Sequence, residues 1–288
     1  MNGIKKIKYI NYKVYLRYNI VIGSSGLVGS SFFKYFKKKK NYIFFSRTGN
    51  NFKKLDLDNK FFKIPFKEVD NCFFFSSPRI IKKNFVKKNF KNEYIWLKKL
   101  IKNVKIQKLV YLSSSSVYYN KNHVIGSTKI KCEKYILKNK RLFKNYQIWR
   151  PFNLIGNNFV NSIHFHNHLF KVMFIDKKRS YIFSGNSADK RGYADVNHFV
   201  KLVYKNSRIS KSFTKNYGNK NLIKISQIYE LFNKYYKKYN KKDFKIFFRS
   251  NKSNVNSIKS KKNCVYYNKK SLILLKRYLV NSIYEKKM

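Results

Sequence analysis

Three of the ten glycines in this 288-residue chain, Gly23, Gly26 and Gly29, fall within seven residues, in the stretch YNIVIGSSGLVGSSFFKYF from Tyr18 to Phe36. Before them lies a β-rich apolar run; after them apolar residues recur at helical spacing. In a chain so poor in glycine, this clustering implies that the backbone requires them. Gly23 suits a tight turn, Gly26 the close approach of a pyrophosphate, and Gly29 the packing of helix against strand, with phosphate on the helix N-terminus. Ser25, Leu27 and Val28 complete the loop. An ordinary strand-turn-helix is the alternative.

A second strand, NYIFFSR from Asn41 to Arg47, follows at the distance expected of a βαβ unit. The ribose of an adenosine would be read at its end. An acidic residue there would bond the 2′-hydroxyl of NAD, whereas Ser46, Arg47 and Thr48 better suit a 2′-phosphate. NADP is therefore favoured over NAD, unless Arg47 is one more surface cation. LDLD at Leu55–Asp58, the apolar NCFFFSSP at Asn71–Pro78, a helical pattern through Trp96 and Leu100, and the hydroxyl-rich KLVYLSSSSVYY at Lys108–Tyr119 continue the alternation. Such alternation predicts an α/β fold, a doubly wound parallel (Rossmann) sheet with a smaller C-terminal substrate lobe. The expected division is an N-terminal extension over 1–17, a dinucleotide-binding core over 18–160, and a lobe over 161–288, some segments of which return to the core. In that lobe, Lys224–Tyr239 and Ser271–Ile283 read as helices and Phe244–Ser250 as a strand.

The net charge of +54, from 66 Lys+Arg against 12 Asp+Glu, is spread along the whole chain. Lysine travels here with Asn, Ile, Phe and Tyr, whose codons are AT-rich, so drift in an AT-rich genome accounts for it without a polyanionic partner. Binding of polyanions through the basic surface remains the alternative, and no specific nucleic acid is expected. Cys72, Cys132 and Cys264 lie far apart, signalling neither a zinc site nor a disulfide scaffold and fitting a reducing cytoplasm. No apolar run reaches the ~18 residues of a membrane span, and the first 17 residues lack the apolar centre of a signal peptide.

Five segments together resemble the extended short-chain dehydrogenase/reductases of the NAD-dependent epimerase/dehydratase family. GSSGLVG is similar to that family's GxxGxxG loop, LVYLSSSSVY to its strand bearing the catalytic Ser/Thr, IGSTKIKCE to its YGxSKxxxE helix start, WRPFNLIG to its RPxNxYG segment, and SGNSADKRGYADVNHFV to a later substrate-binding segment. The resemblance implies nucleotide-sugar substrates and allows a homodimer. It assigns Ser114 to catalysis, Lys129 to catalysis and the nicotinamide ribose, Asp56 to the adenine, and Ser77 and Pro151 to the cofactor. Asn153 and Arg191 are assigned to the substrate. No metal is implied.

The tyrosine of the family's YxxxK pair is missing: four residues before Lys129 stands Ile125. Hydride transfer at a carbinol needs an acceptor for the hydroxyl proton, and a tyrosine beside a lysine and a charged cofactor supplies one near neutral pH. Ile125 has no proton to exchange. The preceding loop is also shorter than usual, and Asn197 and His198 stand where acidic residues are common. Three readings stay open: a non-catalytic dinucleotide-binding scaffold, an enzyme whose acid/base has moved to Tyr118, Tyr119 or His123, and a gene product in decline. In HFHNH, His164 and His168 could share a helix face and chelate a metal, but no acidic or cysteine partner is near in sequence.

Overall fold

The computed structural model describes residues 18–49, 51–59, 62–78, 86–118, 124–156, 165–183, 185–249, 255–256 and 261–285. The expected extension over 1–17, and Tyr119, His123 and His164, lie outside these residues.

Strands and helices alternate from the start of the described chain: β1 (Asn19–Ile22), α1 (Leu27–Phe36), β2 (Tyr42–Ser46), β3 (Lys53–Lys54), β4 (Glu68–Phe74), α2 (Val86–Asn103), β5 (Lys105–Leu112), α3 (Val124–Lys138) and β6 (Asn145–Pro151). Then follow β7 (Leu154–Ile155), α4 (Phe165–Phe170), β8 (Ser180–Phe183), β9 (Lys190–Gly192), β10 (Ala194–Asp195), α5 (Val196–Ser207) and β11 (Phe213–Asn219). The chain closes with β12 (Leu222–Lys224), α6 (Ile225–Asn240), β13 (Lys245–Phe248), β14 (Val255–Asn256), β15 (Cys264–Tyr267) and α7 (Ser271–Tyr284).

One eight-stranded sheet, ordered β15-β11-β6-β5-β4-β1-β2-β3, carries the architecture, and every pairing in it is parallel. Parallel strands must be covered on both faces, which is why β1 and the later parts of β4 (Cys72–Phe74) and β5 (Leu109–Leu112) read as apolar runs. Successive side chains divide between the faces. Val21, Phe44, Phe73, Val110 and Trp149 join a core with Phe32 of α1, Phe199 of α5 and Leu275 of α7. Ile20, Ile22, Phe45, Phe74, Leu109 and Ile148 point the other way, to Leu97 and Leu100 of α2 and Ile136 of α3.

Strand order reverses at β1, whose neighbours are β2 and β4. In open α/β sheets such a reversal leaves a crevice beyond the carboxyl ends of the strands. The part after residue 160 does not stand apart from the sheet: β11 pairs with β6, and β15 with β11. Between them the chain makes a three-stranded sheet, β12-β9-β14, and the parallel pair β13-β8. The helices expected near Lys224 and Ser271 and the strand near Phe244 are α6, α7 and β13.

A candidate dinucleotide cleft

At the carboxyl end of β1 the chain turns through Gly23, whose φ is +89°. A side chain there would also meet backbone: a Cβ would lie 2.6 Å from the Ser76 nitrogen. The N–H groups of Gly23 and Ser24 both donate to the carbonyl of Phe45, at 3.1 and 3.0 Å, and that of Gly26 to the carbonyl of Gly23 at 3.1 Å. Gly29 sits in the first turn of α1 against this loop, where a Cβ would collide with the Gly23 carbonyl oxygen. Gly26 differs. Its φ of −77° suits any residue, and a Cβ would meet nothing of the protein closer than 3.4 Å. What its missing side chain keeps open is the space outside the protein. Gly26 is the N-cap of α1 and no side chain caps that helix, so its first-turn N–H groups and the positive end of its dipole are available to an anion.

That space is a cleft of about 540 Å³ between the loop, the end of β2 and the segment after β4. Ser25, Leu27 and Val28 line its end at the glycine loop, and Ser46, Arg47, Thr48 and Asp56 its far end. Ser46 donates to Ser25 Oγ at 2.8 Å, tying β2 to the glycine loop, and lies 3.2 Å from Thr48 Oγ1. Arg47 Nη1 lies 3.7 Å from Asp58 Oδ2, both side chains about half exposed. Asp58 also accepts from Trp96 Nε1 at 3.0 Å and Asn92 Nδ2 at 3.2 Å, while its own N–H donates to Asp56 Oδ1 at 3.1 Å. A carboxylate therefore stands beside Arg47 after all, supplied by the segment after β3.

Lys129, on α3, is 4% exposed. Its Nζ donates to Glu93 Oε1 at 2.6 Å and to the Leu112 carbonyl at 2.8 Å. Glu93, on α2, is 1% exposed and fully engaged. The Tyr111 hydroxyl donates to Oε1 at 2.7 Å and Ser77 Oγ to Oε2 at 2.8 Å. Burial first, and then the Glu93 charge, raise Tyr111 well above the usual phenol range and Cys132 to about 12, so both keep their protons. Ser77 and Leu112 both line the cleft and join it to this group.

The remaining sequence-derived positions fall elsewhere. None of Ser114, Ile125, Lys129, Pro151, Asn153 or Arg191 lines the cleft. Ser114 Oγ accepts from the Ser116 N–H at 3.1 Å, within a 3-10 turn that follows β5. Ile125 is half-buried in the first turn of α3, four residues before Lys129. Asn153, at φ +38°, donates to the Gly192 carbonyl at 3.3 Å, which brings it beside Arg191. Arg191 faces the buried Asp189 at 3.9 Å. Tyr118 is committed to a second network: Arg150 Nη1 donates to its hydroxyl and the hydroxyl to Asn216 Oδ1, each at 2.9 Å. Arg150 in turn pairs with buried Glu133, which accepts from Ser113 at 2.5 Å. Asn197 accepts from Ser31 at 2.6 Å, His198 Nδ1 meets the Tyr217 hydroxyl at 2.8 Å, and the ring of exposed His168 packs on Tyr181.

No protein-family model and no curated protein matches the sequence. Solved structures do match. The UDP-N-acetylglucosamine 4-epimerase from Bacillus cereus aligns over 92% of this chain and 99% of its own, at 16% identity and a TM-score of 0.60. The UDP-glucuronic acid 4-epimerase from the same organism, in complex with NAD, covers 92% and 96%, at 17% identity and 0.68. The ADP-L-glycero-D-manno-heptose-6-epimerase from Helicobacter pylori covers 93% and 97%, at 15% identity and 0.66. At such identities the likeness is one of fold: the chain has the architecture of the nucleotide-sugar epimerases.

Proposed function

We propose that the cleft binds a nicotinamide dinucleotide, NADP(H) in preference to NAD(H), in a cytoplasmic protein of the nucleotide-sugar epimerase, dehydratase or reductase kind whose tyrosine-dependent proton step has been lost. One observation carries the reading. Gly26 opens a cradle at the uncapped N-terminus of α1 that the protein itself does not fill. A pyrophosphate meets its donors there, and an adenosine extends toward Ser46, Arg47 and Asp56 at the other end of the cleft. A bound nicotinamide would supply a hydride acceptor. The resemblance gives the proton step to Ser114, which does not line the cleft, and to a tyrosine whose place is taken by Ile125, which has no group to take the hydroxyl proton. General acid/base catalysis typically contributes ~100-fold to 10,000-fold, and this chain forgoes that much unless another group replaces it. The substrate class, a nucleotide sugar, is carried over by analogy from the sequence resemblance and from the substrates in the neighbours' names.

Arg47 supports the cofactor preference. Its ion pair with Asp58 is long and half exposed, so the guanidinium can turn to a 2′-phosphate, while the Asp58 charge works against that phosphate. Trp96 lines the cleft and donates to Asp58, which makes its fluorescence a reporter. Titration should show NADP(H) binding about tenfold tighter than NAD(H), a difference of about 1.4 kcal/mol. Arg47→Ala should erase the preference and Asp58→Asn widen it. Failure of both dinucleotides to bind at millimolar concentration would sink the reading; equal affinities would sink the preference alone.

A further inference from the structure

The buried group around Lys129 has a consequence for what the cleft recognises. In the family that the sequence resembles, the corresponding lysine reaches the nicotinamide ribose. Here its ammonium is paired at 2.6 Å with a carboxylate that is 1% exposed, and a second donor is spent on the Leu112 carbonyl. Turning Lys129 outward would leave the Glu93 charge buried with only the neutral hydroxyls of Ser77 and Tyr111. A ribose hydroxyl is neutral and offers an ammonium a weaker partner than a carboxylate does. The exchange is therefore unfavourable, and the lysine stays where it is. Among the described residues the cleft is lined by the glycine loop, the ends of β2 and β4 and the segment after β3, and Lys129 is not in its wall; Ser77, through Glu93, and Leu112, through its carbonyl, join the cleft to the buried group.

We propose that Glu93 withdraws Lys129 from ligand binding, so that this cleft holds its ligand through the adenosine-diphosphate half alone and takes ADP-ribose, with or without a 2′-phosphate, as well as the full dinucleotide. Glu93 is thus a positioning residue that sets ligand specificity through Lys129. The inference rests on the reading of the cleft as a dinucleotide site.

The test compares ligands that differ only by the nicotinamide: NAD+ with ADP-ribose, and NADP+ with 2′-phospho-ADP-ribose, by Trp96 fluorescence or calorimetry. Within each pair the full-length protein should show dissociation constants within about threefold of each other, and Lys129→Met should leave that ratio unchanged. Glu93→Gln keeps a side chain for Ser77 and Tyr111 but releases the ammonium. In that variant the dinucleotide should gain tenfold or more over ADP-ribose. A loss of stability alone would move both ligands together and leave the ratio fixed. Should Glu93→Gln fail to fold, the Lys129→Met ratio decides. A wild-type preference of tenfold or more for the dinucleotide, lost in Lys129→Met, would overturn the proposal, as would an unchanged ratio in folded Glu93→Gln. Absence of binding by all four ligands would instead overturn the reading of the cleft.

Discussion

Removing Glu93 while leaving Lys129 in place should be among the most damaging single changes available in this chain. The two side chains, on α2 and α3, are 1% and 5% exposed and their charged atoms lie 2.6 Å apart. Taking one partner from such a pair leaves the other charge uncompensated, at a cost of about 3–5 kcal/mol. Glu93→Leu also strips Tyr111 and Ser77 of their acceptor. With roughly 2.1 cal/mol/K of unfolding entropy per residue, a chain of 288 residues has a midpoint entropy of about 0.6 kcal/mol/K. The loss then lowers the melting temperature by about 5–8 °C. Lys129→Met, measured alone, should cost a similar amount because it strands Glu93. The double variant, Glu93→Leu with Lys129→Met, should return to within about 2 kcal/mol of the wild type, since replacing a whole buried pair by apolar groups is often neutral. Calorimetric melting of the four proteins measures the cycle. Simple addition of the two single losses in the double variant would refute the pairing argument, and so would a Glu93→Leu loss below about 1 kcal/mol.

Two substitutions in the glycine loop should separate folding from binding. Gly29→Ala drives a Cβ into a backbone oxygen, so both the melting temperature and dinucleotide affinity should fall; Gly26→Ala, with 3.4 Å of room, should keep its melting temperature while affinity falls at least tenfold. Ile125→Tyr restores a phenol one helical turn before Lys129, but with the ammonium held by Glu93 the gain in turnover of a nucleotide sugar should stay small and should grow, by tenfold or more, when combined with Glu93→Gln. A large gain in the single variant, measured by steady-state turnover, would contradict that dependence.

The sheet was legible because its signals are backbone signals. Continuous apolar runs mark strands covered on both faces, and Gly23 and Gly29 stand where the backbone leaves no room for a Cβ. The far end of the cleft was legible only in part: Ser46, Arg47 and Thr48 follow from their place at the end of β2, but Asp58 reaches Arg47 from a segment whose path no local pattern announces. Glu93 was not legible at all, because one acid in an amphipathic, lysine-rich helix looks like a solvent-facing charge. A signal existed in the composition. Only 12 residues are acidic, and four of them, Glu93, Glu133, Asp189 and Asp195, are buried. In a chain this rich in lysine, a carboxylate is the informative letter, and each of these four faces a cation.

The strand order has a kinetic side. Strands β1 to β6 complete their pairings with one another as the chain emerges, but the outer edge of β6 waits for β11, which begins only at Phe213. Throughout synthesis of residues 152–212 that edge presents unpaired N–H and C=O groups on a strand that carries Ile148 and Trp149, side chains that end up buried. Open apolar edges of this kind recruit other chains. A ribosome stalled within that interval would release a fragment whose last strand is a template for aggregation, and β11, by arriving, caps it; β15 then moves the exposed edge to CVYY, a strand of only four residues.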